Sequence, residues 1–140
     1  MSNNLYENYR DLLLGGGVHT LPDLDADLIK VHLIDAADHT TSLANDIDEA
    51  DITNAAIVAT ATLASTTVGV VSVGTFDAAD TTFSSVSGDQ SEELIIWHDT
   101  TTDTTSPLIV NFDTATGLPV TPNGGDIVIE WNSSGILTIG

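Results

Sequence analysis

The segment DLDAD (23–27) sets carboxylates at alternate positions, the way an EF-hand loop opens. Carboxylate oxygens in such an array hold calcium, a hard cation. An EF-hand starting at Asp23 also needs glycine at its sixth position and glutamate at its twelfth. Leu28 and Ile34 stand there, so the EF-hand is excluded. No cofactor is assigned by the residues. Calcium is the one metal left open, at Asp46, Asp48 and Asp51 or among aspartates at strand ends. His19, His32, His39 and His98 lack HxH, HxxxH or HExxH spacing, which argues against zinc and for surface or turn positions. Hydrolase signals are missing too: no GxSxG occurs. Glu92 and Glu93 are adjacent, so on a strand they face opposite ways and cannot form a close acid–base pair. Glu130 beside Trp131 is one carboxylate with one aromatic, whereas a glycosidase needs two carboxylates. No phosphate loop is present, since Gly15-Gly16-Gly17 follows a helical pattern and does not open one. The expectation is a protein without catalytic residues.

The elements that carry these residues are mostly strands. NLYENYRDLLL (4–14) is the exception, with Leu5, Tyr6, Tyr9, Leu12 and Leu13 at helical spacing. Asn3 or Asn4 is placed to cap this helix, and Gly15-Gly16-Gly17 to stop it. A helix this short needs a surface to pack on. LIKVHLI (28–34) then alternates, with Ile29, Val31 and Leu33 on one face and Lys30 and His32 on the other. AIVATATL (56–63), TVGVVSVGTF (67–76), TTFSSV (81–86), ELIIWH (93–98), PLIVNF (107–112), DIVIEW (126–131) and ILTI (136–139) complete about eight short strands by the same period-two reading. LANDIDEADITN (43–54) reads as a loop with one helical turn. Asp35, Asp77, Asp99 and Asp113 follow strand ends and suit Asx turns. The pattern predicts a mainly β fold, an antiparallel sandwich or barrel with one short N-terminal helix. Residues 1–140 form a single domain in this reading, with a helix and glycine hinge over 1–17 and a β domain over 28–140. Trp97 and Trp131 share strand faces with apolar residues and read as core aromatics.

Composition narrows the partners. Acidic residues number 21 against Lys30 and Arg10, for a formal net charge of -19. Such a chain repels nucleic acid and anionic membranes and favours basic partners, divalent cations or salt. There is no cysteine, so disulfides and thiolate sites are excluded. The start, MSNNLYENYRDLLLGGG, lacks a signal-peptide pattern, and a soluble protein made in a cytoplasm is expected.

Several stretches taken together resemble a family of small structural proteins of tailed bacteriophages. They are the LYxxxRxxLL helix, IKVHLIDAADHT (29–40), AIVATATL (56–63), VGTFDAADTTFSSVSGD (73–89) and LIIWHDTTTDTTSPLIVNFDTATGLPVTPNGGDI (94–127). The resemblance covers nearly the whole chain, and TSPLIVNFDTATGLPVTPNGGDI is its most specific part. It implies a virion component without enzymatic role, a capsid decoration (cement) protein on the major capsid shell. Members carry more lysine, including a basic C-terminal end, whereas this chain ends SSGILTIG. A decoration protein of this kind would bind the major capsid protein and form a homo-oligomer, a trimer ahead of a dimer. A neck, tail or fibre-associated protein is the alternative. A module binding glycans or calcium-bridged surfaces is another, drawn from Trp97, Trp131 and the aspartates.

Under this reading the contact residues are Tyr6, Tyr9, Leu12 and Leu13 on the helix and Leu118, Pro119 and Val120 in the loop FDTATGLPVTPNGGDIVIEW (112–131). Tyr6 and Tyr9 equally suit packing of the helix on its own sheet. Leu118 and Val120, set among Gly117, Pro119 and Pro122, either plug the end of their own domain or present an apolar knob to a neighbour.

Overall fold

The alternation in LIKVHLI becomes the middle of a sheet. The computed structural model describes residues 3–139. In it Ile29–Ile34 (β2) pairs antiparallel with Ile57–Thr62 (β3) on one side and Glu93–His98 (β7) on the other. Leu108–Phe112 (β8) adds to β7, and Asn4–Leu5 (β1) adds to β8. The five-stranded order is β1-β8-β7-β2-β3. Thr67–Val68 (β4), Thr75–Asp77 (β5) and Leu137–Thr138 (β10) form a three-stranded sheet in the order β10-β5-β4. Thr81–Phe83 (β6) pairs with Ile127–Ile129 (β9). The described residues thus form ten short strands in open, sandwich-like antiparallel sheets, not the closed barrel also considered.

Register decides what each face of the large sheet carries, because residues directly opposite in antiparallel strands share a face. Val31, Ile96 and Val110 line up, as do Leu33, Leu94 and Phe112. This is the apolar face. On the other face lie His32, Ile95 and Asn111, with Lys30 beside Trp97 and Ile34 beside Glu93. Both faces of β2 are covered: Val31, Leu33 and Ile34 are fully buried, and so nearly is His32. Each fully buried aliphatic side chain contributes roughly 1.5–3 kcal/mol.

The cover over the polar face is the segment 41–51. Its backbone is tied down at both ends of its path. Leu43 accepts from the Glu7 amide (2.9 Å), the Leu108 amide donates to Ile47 (3.1 Å), and the Glu49 amide donates to Ser106 (2.9 Å). Short 3-10 turns at Glu49–Asp51 and Asn54–Ala56 lead into β3. The sequence predicts one turn here.

The N-terminal helix (α1) is shorter than the pattern predicts, Glu7–Leu13, with Tyr6 at its N-cap position and no side-chain cap. Asn4 lies in β1, opposite Asn111, instead of capping the helix. Asn3 caps a different turn: its Oδ1 accepts from the amides of Asp113 and Thr114 (both 3.1 Å), and its Nδ2 donates to the Thr114 carbonyl (2.9 Å). The apolar stripe of α1 packs inward, and Tyr6, Tyr9 and Leu12 belong to the core. The glycines do end the helix. Gly17, at φ +75°, runs so close to α1 that a Cβ would meet the Asn8 carbonyl at 2.9 Å.

TVGVVSVGTF is not one strand. It breaks into β4, a tip over 69–74 and β5, with Gly69 and Gly74 at positive φ. A Cβ on Gly74 would run into the Ile139 carbonyl, so β10 lies directly against this turn. The long loop after β8 folds onto its own domain. Val120 and Ser91 exchange two backbone hydrogen bonds (2.8 and 2.9 Å), and Val86 does the same with Gly124 and Gly125 (2.8 and 2.9 Å).

Candidate functional site

All four histidines face a carboxylate. His19 and His39 do lie in bends or loops, as expected, whereas His32 is buried in the middle of β2. His19 Nε2 lies 3.0 Å from Asp48, His32 Nε2 3.0 Å from Glu49, His39 Nε2 3.2 Å from Asp46, and His98 Nε2 3.6 Å from Asp27. The first three of those carboxylates come from the segment 41–51, which is therefore a strap pinned by histidines from three separate parts of the chain. His32 and His39 are buried with their partners Glu49 and Asp46.

The His32 site is the most enclosed. Its Nδ1 lies 2.7 Å from the Thr60 hydroxyl, directly opposite in register, and its ring stacks at 4.8 Å on Trp97. Burial, with the Lys30 ammonium near, holds its pKa down at about 4. Burial pushes Glu49 up to about 7, reinforced by Asp103, Asp99 and Asp48. A neutral imidazole satisfies both contacts when Nε2 donates to Glu49 and Nδ1 accepts from the Thr60 hydroxyl. Thr60, His32 and Glu49 have the residue types of nucleophile, base and orienting acid. A ring titrating at about 4 is a weak base, however, and Thr60 is fixed in mid-strand. The row acts as a clamp between strap, β2 and β3.

Next to it Lys30 Nζ sits 2.7 Å from Asp99 and 5.8 Å from the Trp97 ring centre. The ammonium holds the Asp99 carboxyl below the usual range. Glu93, also buried, accepts from the Thr41 hydroxyl (2.7 Å) and the Asn111 amide (2.9 Å). The strap thus covers a polar layer whose buried charges are hydrogen-bonded.

The aspartates expected to gather a cation are turned apart. Asp46 accepts from the Ser42 amide (2.8 Å), Asp51 from the Ile47 amide (2.7 Å), and Asp48 faces His19. Asp46, Asp48 and Asp51 therefore act as local braces, and among the described residues their carboxylate oxygens do not converge within 4.8 Å. A different trio converges: carboxylate oxygens of Asp35, Asp38 and Asp89 lie within 4.8 Å of one another. Oxygen donors alone suit a hard cation, but Asp35 already accepts from the Ala37 amide (2.8 Å) in the Asx turn the sequence predicts. Asp99 makes the same turn with Thr101 (2.7 Å).

The expected contact residues divide by exposure. Tyr6, Tyr9 and Leu12 are buried in their own core and are not offered to a partner, because the sheet supplies the surface their stripe needs. Leu13 is 37% exposed. Leu118 and Val120 are half-buried against the core, and only Pro119, after a cis peptide bond, is exposed. The loop therefore plugs its own domain. The most exposed large apolar side chains are Val73 (94%) and Val70 (74%) at the β4–β5 tip and Leu14 (88%), with Val71 (44%) beside the valines. The run VGVVSV was legible in the sequence, but its strand-like pattern disguised a turn.

Two concavities stand out among the described residues. An open groove of about 500 Å³ lies beside the end of α1, with Tyr9 in its wall, lined also by Leu13, Leu21, Leu24 and Val68 together with Asp23 and Asp25, among others. A cleft of about 320 Å³ is lined by Phe112, Thr114, Glu130, Trp131, Asn132 and Ile136, among others. Of the two tryptophans, Trp97 is a core residue as expected. Trp131 is half-buried in that cleft, with its ring 6.0 Å from Phe112 and its Nε1 donating to Thr81 (3.1 Å). Neither a scan against protein-family models nor a search of curated proteins finds a match for this chain.

Proposed function

We propose that this chain is a structural component of a tailed-bacteriophage particle, seated on the major capsid shell as a decoration protein. The observation that carries the reading is the β4–β5 tip. A chain of net charge -19 leaves Val70, Val71 and Val73 exposed to water, at 74%, 44% and 94%. Exposed valines on a turn that nothing in the domain covers are what a partner surface would bury. The small β-rich domain and the resemblance spanning nearly the whole sequence support the same reading. The edge strands β3, β4 and β10 offer unpaired backbone through which a shell subunit or a second copy could add a strand. Assembly as a homo-oligomer about a shell symmetry axis fits this mode.

Cryo-EM and quantitative mass spectrometry of purified particles test the proposal. Density on the shell, at a copy number near that of the major capsid protein, is the expected result. A handful of copies at the neck or tail moves the protein to that station, and absence from particles overturns the reading. Val70→Ser/Val73→Ser should fold normally and lose shell binding.

The cleft at Trp131 favours one other reading. A half-exposed indole beside Glu130, Asn132 and Thr114 has the mix of aromatic face and polar groups that holds a saccharide. A glycan array with Trp131→Ala as control tests it, and a flat response from the parent protein ends it.

A further inference from the structure

The groove beside α1 sets exposed apolar side chains beside acidic ones. Leu13, Leu21 and Val68 are 37%, 44% and 45% exposed, and Leu24 lies beneath them, packed on the core. Asp23 and Asp25 stand in the same groove, both exposed. A side-chain hydrogen bond with the Asp23 carboxyl, reinforced by its charge, raises Asp25 above the ordinary carboxylate range. The Asp23 amide meanwhile donates to Asp27 (2.8 Å), which holds a third carboxylate in the same turn. An apolar floor with crowded negative charge at its side is complementary to a side chain set that is apolar and cationic together.

A second copy of this chain is poorly equipped to supply that set. Its basic side chains are Lys30 and Arg10, and each already faces a carboxylate of its own chain, Asp99 at 2.7 Å and Glu7 at 3.6 Å. Two copies would also bring together surfaces of net charge -19 each.

We infer that the groove of Leu13, Leu21, Leu24 and Val68 docks a segment of a partner protein that carries leucine-like side chains next to lysine or arginine. The apolar side chains fill the groove, and the cations lie between Asp23 and Asp25. The inference deepens the reading of the chain as a shell-bound component, on which the partner's identity rests. The chemistry of the docked segment rests on the groove alone.

The probe is a capped, dye-labelled octapeptide of alternating lysine and leucine, measured by fluorescence anisotropy against the intact protein in 0.15 M salt. A lysine–serine peptide of equal charge is the comparison. The leucine peptide should bind more tightly, and Leu21→Ser should weaken it. Asp23→Asn/Asp25→Asn should weaken it about five- to tenfold. Asp38→Asn/Asp89→Asn removes the same charge from another crowded, exposed pair and should leave affinity unchanged. Equal binding of the two peptides, or equal loss in the two double variants, means general charge attraction and overturns the proposal. A concentration-dependent dimer abolished by Leu21→Ser makes a second copy the occupant and overturns it as well. No particle is present in this assay. Peptide binding by a protein absent from virions would leave the groove standing and remove the particle reading, and the reverse outcome would do the opposite.

Discussion

Glu49 and His32 titrate in opposite senses, and the signs can be separated. Folded Glu49 titrates at about 7, above its ordinary 4.5, so the folded state holds that proton more tightly than the unfolded chain. Its contribution to stability is complete below about 4.5 and is lost as pH rises through 7. His32 is lowered from 6.5 to about 4, so the unfolded chain takes up its proton first. That contribution is complete above 6.5 and is lost as pH falls through 4. Between 4.5 and 6.5 the two slopes oppose each other. Glu49→Gln keeps an oxygen acceptor for His32 and removes one slope. Its stability relative to the parent should climb from pH 4.5 to 7 in urea unfolding followed by tryptophan fluorescence; a flat difference would contradict the burial argument. Tyr6 allows a second test. Its hydroxyl is buried without a hydrogen bond among the described residues, while its neighbours Thr41 and Asn111 bond Glu93. Removing an unsatisfied hydroxyl loses little. Tyr6→Phe should change stability by less than about 1 kcal/mol, whereas Tyr6→Ala should cost about 3–5 kcal/mol.

At the scale of elements, one side chain fixes the path that leaves α1. Asn8 is buried, donates from Nδ2 to the Val18 carbonyl (3.1 Å) and accepts the Val18 amide at Oδ1 (2.6 Å). It stands in for a strand partner and positions the segment that leads to Leu21. Asn8→Ala should lower stability by about 1–3 kcal/mol and speed hydrogen exchange at Val18, with β2 and β7 still protected. The strands around β2 were legible in the sequence because alternation and burial coincide there. Asn4 was misread because an asparagine before a helical stripe looks the same whether it caps or pairs. Only the β1–β8 register, linking residues far apart in sequence, distinguishes the two. The strap was illegible for the same reason. His19–Asp48, His32–Glu49 and His39–Asp46 join residues 29, 17 and 7 apart, and no periodicity spans such gaps. The density of acids over 46–51 was visible, but solvation explained it as well as pairing does. The plug role of Leu118 and Val120 was one of two readings left by the loop's composition; both are half-buried against the core, and Val120 pairs with Ser91.

The whole molecule carries its charge unevenly. Histidines hydrogen-bond several of the inner carboxylates, and the remaining carboxylates repel one another across the surface. Screening shortens the range of that repulsion to about 10 Å at 0.1 M salt. The melting temperature should therefore rise by several degrees from 0.01 M to 0.5 M sodium chloride, and an unchanged value would mean that pairing has already neutralised the field. The placement of the two basic side chains has another consequence. Trypsin cleaves only after lysine or arginine, so the chain offers it two bonds. Arg10 lies on α1, where peeling off a short helix is enough to admit the protease. Lys30 lies in β2, held between β3 and β7, where cleavage requires the sheet to part. Release of peptide 1–10 times the detachment of the helix, release of 11–30 times the opening of the core, and a single digestion reads both clocks.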